Sequence, residues 1–433
     1  LTITCKDFRI AQFIFPRGGS LRRVLASKLR ECCFIRPDFR RFFAFAYHSP
    51  FESSGNGWNV FDIEKEFTRQ GVISAECGWR FTQANGDYSL CDTYPPLLVV
   101  PAAADEAMIK KEAKFRSRGR FPVLTWRDSA EGMSITRCSQ PRVGIKGAHS
   151  DVDEDYFELI RLTNKQNPET LYILDSRPKA NALGNRARGG GYEDTAQSYP
   201  NCRLDFEGIA NIHAVRESYG HLRDLCQPGV DESTWLIQLD ATHWFDLSKT
   251  ILQSVAKTVE LIAKTKSSIT VHCSDGWDRT AQCCALSQMC LDPYYRSLVG
   301  FEVLLEKDWL AFGHKFETRY AHGEGKPSDQ QAPIFPQFMF CCYQLLCQFP
   351  FSFQYNERLL LVVMDHLFSC RFGTFLFNCD KERRDANLRE KTTSLWSYVN
   401  ANVEQFLNPF FRPNATVLYP DPSIKVKYSC SLL

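Results

Sequence analysis

Ser268-Ile269-Thr270-Val271-His272-Cys273-Ser274-Asp275-Gly276-Trp277-Asp278-Arg279-Thr280 is the stretch from which the fold is read. Its first four residues are rich in β-branched side chains, the pattern of a short buried strand, and Thr280 to Leu291 reads as a helix. Between them, Cys273 and Arg279 stand at the two ends of a tight loop. A strand end, a loop and a helix N-terminus in this order make a phosphate-binding loop, here with a cysteine at its base.

The spacing has a chemical reason. Successive backbone N–H groups of a tight loop, together with the positive end of a helix dipole, cradle a phosphate dianion, and Arg279 closes the cradle with a bidentate fork. Cys273 then lies beneath the phosphorus, in a positive field that lowers the pKa of its thiol, so that it acts as the nucleophile. Gly276 supplies a position without Cβ where the loop turns, and Thr280 offers a hydroxyl to the sulfur. Asp278 and Asp275 are candidate acids for the departing alkoxide, and Asp278, beside Arg279, is taken as the donor. The loop residues Ser274, Asp275, Gly276 and Trp277 are expected to line the substrate. This chemistry calls for no metal and no cofactor.

Outward from the loop, the apparent strands Phe121 to Trp126, Ser134 to Arg137 and Leu171 to Leu174 alternate with helical stretches at Tyr156 to Asn167 and Leu247 to Lys264. That alternation predicts an α/β layer, a central sheet flanked by helices with the Cys273 strand at its centre. After Asp292 the chain turns helical, most clearly at Phe335 to Phe349 and Asn356 to Phe368. At the other end, Leu1 to Phe15 alternates as a strand and Leu21 to Cys33 has helical spacing. A Pro, Ser, Gly and Asn-rich stretch from His48 to Gly57 reads as a linker.

Composition limits the partners. In 433 residues, 52 basic and 50 acidic side chains nearly cancel, so no global field recruits nucleic acid, and an anionic ligand must meet a local basic pocket. The 44% hydrophobic and 13% aromatic content describes a filled globular core. The 18 cysteines are scattered and never three apart, and the 9 histidines do not cluster with them, which favours reduced cytosolic thiols over a disulfide framework or a zinc site. The longest apolar runs, Pro95 to Ala104 and Leu359 to Met364, fall short of the roughly 20 residues of a membrane span, so membrane contact is expected to be peripheral. The opening Leu1-Thr2-Ile3 has neither a methionine nor a signal-peptide core and reads as the start of a fragment. Arg177, Arg186 and Arg188 precede Gly189-Gly190-Gly191 as a basic segment suited to an anionic bilayer, with solvated surface charge as the competing reading.

His272-Cys273-Ser274-Asp275-Gly276-Trp277-Asp278-Arg279-Thr280 resembles the signature of the myotubularin family of phosphoinositide 3-phosphatases. Other blocks agree with that family, in family order: Arg120 to Leu124, Arg137 to Pro141, Asp175 to Pro178, Gly189 to Glu193, Asn211 to His213, Phe312 to Phe316 and Cys370 to Leu376. The resemblance runs from the first residues to about Pro420. It implies a cysteine-dependent phosphatase domain over 58–420, preceded at 1–47 by the C-terminal part of a pleckstrin-like GRAM domain. It also implies removal of the D3 phosphate from phosphatidylinositol 3-phosphate and phosphatidylinositol 3,5-bisphosphate through a phosphocysteine. Asn185, Asn211 and Ile212 match family substrate contacts, and Lys315 and Arg319 stand where basic residues reach a further phosphate. Lys315 replaces the arginine of some relatives, which keeps the charge and loses the fork. The implied partners are the lipid headgroup in a membrane and other family members, as homo- or hetero-oligomers, and the implied location is the cytoplasmic side of endosomal membranes. Protein-tyrosine phosphatase activity is the alternative enzyme reading. An adaptor role is the alternative outside enzymes, although inactive adaptors of this family lack the cysteine or arginine present here.

Overall fold

The computed structural model describes residues 1–423, apart from 8, 17–18, 36–37, 48–55, 228, 230–231 and 327. Most of the predicted linker therefore lies outside the described residues. Among the described residues, nine strands form: β1 (Thr2–Thr4), β2 (Ile10–Gln12), β3 (Trp79–Thr82), β4 (Leu98–Pro101), β5 (Val123–Arg127), β6 (Ser134–Ser139), β7 (Leu171–Asp175), β8 (Cys202–Phe206) and β9 (Ile269–Cys273). Five of them form the central sheet in the order β5-β6-β9-β7-β8. Strand β9 runs parallel to both neighbours, with Cys138 opposite His272 on one side and Asp175 opposite His272 on the other. Strand β5 is antiparallel to β6 at the edge.

The sheet is buried on both faces, as parallel strands with helical crossovers require. One face packs on a core that includes Ile269 and Val271 of β9 and the helices Trp244–Ala263, Arg279–Leu291 and Ile334–Gln348. The opposite face holds Leu171, Ile173, Val123 and Leu124 against the helices Glu106–Phe115 and Asp151–Leu162. All thirteen residues of Arg279–Leu291 are buried, so this helix has no solvent face and works as the central pillar behind the sheet.

Leu1 to Phe15 forms a hairpin rather than one strand. The Asp7 carboxylate accepts from the Arg9 backbone and guanidinium, and Cys5 N–H donates to the Arg9 carbonyl, which turns the chain between β1 and β2. The helix Leu21–Cys33 has the expected bounds and buries none of its residues. Beyond it, Ile35, Phe42 and Ala44 join Trp58, Leu376, Phe377 and Leu388 in a third, smaller core. Every cysteine among the described residues is a free thiol. No helix among them is long and apolar enough to cross a membrane.

Candidate active site

Strand β9 ends at Cys273 between the ends of β6 and β7, where the strand order crosses over and ligands of open α/β sheets collect. The loop after it is fastened from both flanks. Gln140, just past β6, donates its backbone N–H to the Ser274 carbonyl at 3.1 Å, and Ser176, just past β7, donates to the His272 carbonyl at 2.8 Å. Gly276 sits at φ +76, and a Cβ there would lie 2.3 Å from the Cys138 carbonyl, so the turn requires glycine. Arg120 and Arg137, both buried, donate to the Gly276 carbonyl at 2.9 Å each. They hold that oxygen away from the cradle. Arg137 is itself fixed by Asp308, on a π-helical segment Glu306–Ala311.

Cys273 is buried and accepts the Gly276 N–H at 3.3 Å. Burial alone would push its thiol up, but the Arg279 charge and the adjacent Thr280 hydroxyl and backbone N–H outweigh it, and the thiol lies below its ordinary value. By contrast, Cys138, Cys283 and Cys284 are pushed up by burial. Arg279 stands at the rim, its guanidinium held by the Ile209 carbonyl at 3.2 Å and the Ser274 hydroxyl at 3.4 Å. Asn185 donates to the same hydroxyl at 3.0 Å, which brings that predicted contact to the loop.

Beneath the loop, His272 Nε2 lies 3.0 Å from Glu193, which also takes a guanidinium bond from Arg116 at 2.6 Å. All three are fully buried. Burial would lower the His272 pKa, yet the Glu193 carboxylate raises it, so the ring gains a proton more readily than an ordinary histidine.

The surroundings of several expected site residues bear on their roles. Asp278, taken as the proton donor, is held ionised. Its carboxylate receives Arg319 at 2.8 and 3.2 Å and lies 3.1 Å from His314 Nδ1, and these partners outweigh burial and take its pKa far below the carboxylate range. Asp275 goes the other way: burial raises its pKa despite Arg118, 4.0 Å away. Arg319, placed by resemblance on a further phosphate, already spends its guanidinium on Asp278 and on the Gln330 carbonyl at 2.8 Å. Asn211 caps the helix Ile212–Leu225, its side-chain oxygen accepting from His213 and Ala214, while Ile212 packs beside the large core. Finally, Arg177 is fully buried in an ion pair with Asp175, so it meets no membrane. Arg186 is half-buried over the Tyr192 ring and Arg188 is exposed.

Lys315 lies beside the loop. Its ammonium sits 4.1 Å over the Trp277 ring, and burial together with nearby Arg319 and Arg118 lowers its pKa. Arg118 was not singled out in the sequence. It is exposed, it adopts a left-handed conformation at φ 58, and it reaches toward Asp275, so two cations, Arg118 and Lys315, flank the loop mouth. Such a conformation is rare for a residue with a side chain and marks a fixed position. Among the described residues, the side chains close enough to share a metal ion are His149, Asp151 and Glu154, none of them in the loop.

A profile described as the myotubularin-like phosphatase domain matches residues 42–384. The chain belongs to the myotubularin family. It is 46% identical over 98% of its length to myotubularin of Xenopus laevis, covering 70% of that protein, and 44% identical to myotubularin of Rattus norvegicus with the same coverages. It is also 44% identical to phosphatidylinositol-3,5-bisphosphate 3-phosphatase MTMR2 of Mus musculus, over 98% of this chain and 66% of that protein. The mixed sheet and flanking helices suit this family's phosphatase domain.

Proposed function

We propose that this chain hydrolyses the D3 phosphate of phosphatidylinositol 3-phosphate and phosphatidylinositol 3,5-bisphosphate. The observation that carries the reading is a thiol lowered in pKa at the base of a loop closed by Arg279, in a chain whose relatives include one named for 3-phosphatase activity on the bisphosphate. The Cys273 thiolate attacks phosphorus and the bond to the inositol oxygen breaks. The loop amides and Arg279 carry the charge on the equatorial oxygens. Asp275, the loop carboxyl whose pKa is raised, gives its proton to the leaving oxygen. A water then attacks the phosphocysteine, Asp275, now a carboxylate of raised pKa, takes its proton, and the sulfur leaves as thiolate.

Lys315 and Arg118 are the cations placed to meet a further phosphate of the headgroup. In the same reading the enzyme touches membrane peripherally on the endosome, and residues 1–47 are part of a GRAM domain. Pairing with other family members rests on the resemblance alone.

Phosphate release from a phosphoinositide panel and from phosphotyrosine peptides tests the proposal. The expected result is turnover of the two 3-phosphorylated lipids far above the peptides, abolished by Cys273→Ser. Preference for the peptides, or activity surviving Cys273→Ser, overturns it.

A further inference from the structure

We infer that two abutting segments beside the loop mouth, residues 140–150 and 178–192, form a docking surface for an anionic phospholipid bilayer. Ile145 and Leu183 enter the interface, and Lys146, Lys179 and Arg188 sit among the headgroups. The inference rests on the lipid-substrate reading and specifies which face of the molecule carries it.

Geometry joins the two segments to each other and to the catalytic loop. Gly144 donates its N–H to the Gly190 carbonyl at 2.8 Å, and the Gly191 backbone lies directly against Val143. The helix Lys179–Arg186 is tied to the loop by Asn185, which donates to the Ser274 hydroxyl at 3.0 Å. Both segments therefore border the opening through which a headgroup reaches Cys273, and a substrate anchored by acyl chains brings the bilayer to that border.

The surface has the composition that a bilayer selects. Ile145 is 79% exposed at the tip of a tight turn, between Gly144 and Gly147 in left-handed conformations, and the Ala148 N–H closes the turn on the Val143 carbonyl. Leu183 is 55% exposed one turn after the exposed Lys179. Large exposed apolar side chains at such positions cost solubility without serving a core, and they match the shallow insertion of peripheral proteins. The charges agree. Residues 140–150 and 178–192 hold Arg142, Lys146, Lys179, Arg186 and Arg188 and no Asp or Glu, in a chain whose 52 basic and 50 acidic residues otherwise balance. This basic stretch, bounded by the exposed Asp151 beside His149, fits an anionic leaflet through Lys146, Lys179 and Arg188.

The experiment compares one headgroup in two physical states: phosphatidylinositol 3-phosphate in vesicles containing about 20% phosphatidylserine, and its water-soluble short-chain analogue. For Ile145→Glu/Leu183→Glu, kcat/KM on vesicles is expected to fall about tenfold or more while the soluble analogue is turned over within about twofold of wild type. Lys146→Glu/Arg188→Glu is expected to show the same split and a weaker dependence of vesicle binding on salt. Equal rates on vesicles for wild type and both variants overturn the surface. So does wild-type turnover of the soluble analogue without vesicle binding, which would make this face one for a protein partner. Failure of wild type on both forms of the lipid sinks the substrate reading instead.

Discussion

At the scale of single residues, the two loop aspartates are shifted in opposite directions, Asp275 up by burial and Asp278 down by Arg319 and His314 against burial, and this separates their roles in proton transfer. Rate should rise with pH as the Cys273 thiol ionises and fall as Asp275 loses its proton, at a pH above the ordinary Asp value of about 3.9. Asp278, depressed by Arg319, stays ionised through both limbs. Asp275→Asn is therefore expected to remove the falling limb and cost roughly 10²–10⁴-fold on lipid, with little effect on an activated aryl phosphate that needs no proton. Asp278→Asn removes the anion that holds Arg319 and His314, so kcat/KM should fall to a similar extent on lipid and on aryl phosphate. A loss in Asp278→Asn confined to the lipid would return the donor role to Asp278. The sequence picks out Cys273, Arg279 and both aspartates together, because they lie within seven residues. It did not rank the acids, because the groups that set their charges, Arg118, His314 and Arg319, come from distant segments.

Among elements, the loop depends on how closely β6 passes behind it. Gly276→Ala places a methyl 2.3 Å from the Cys138 carbonyl in a left-handed backbone. The loop must back away and weaken the bonds from Arg120 and Arg137. The expected cost is about 1–3 kcal/mol of stability by thermal unfolding, with a loss of kcat/KM well beyond what that destabilisation explains. An alanine variant with wild-type kcat/KM would show that the turn is not under this constraint. The helices were legible to within a few residues, since Phe335 to Phe349 appears as Ile334–Gln348 and Asn356 to Phe368 as Glu357–Ser369. Their apolar spacing is local information. The hairpin at β1 and β2 was missed because a short alternating run does not reveal where a side chain such as Asp7 turns it back. The π-helical turn Glu306–Ala311 escaped for a related reason: Lys307 and Asp308 look like surface charge until their buried partners Gln288, Tyr295 and Arg137 are in place.

For the whole molecule, chemistry and stability are separable. Phe338 is fully buried among Trp309 and Phe335, in the core that supports the helix Arg279–Leu291 from behind. Phe338→Ala is expected to cost about 3–5 kcal/mol in denaturant unfolding, while the fraction that remains folded keeps its kcat. Loss of kcat without loss of stability would mean that this core positions the loop directly. Fold class followed from the alternation of strands and helices, but the order of the sheet did not, because periodicity says which face of a strand is buried and nothing about its neighbours. That order bears on biosynthesis. Strands β6 and β7 emerge from the ribosome with a gap between them, and the strand that fills it, β9, begins about 95 residues after β7 ends. Until Cys273 has been translated, two hydrogen-bonding edges face each other unpaired, so the residues that perform the chemistry are also those whose arrival ends the nascent chain's exposure to mispairing.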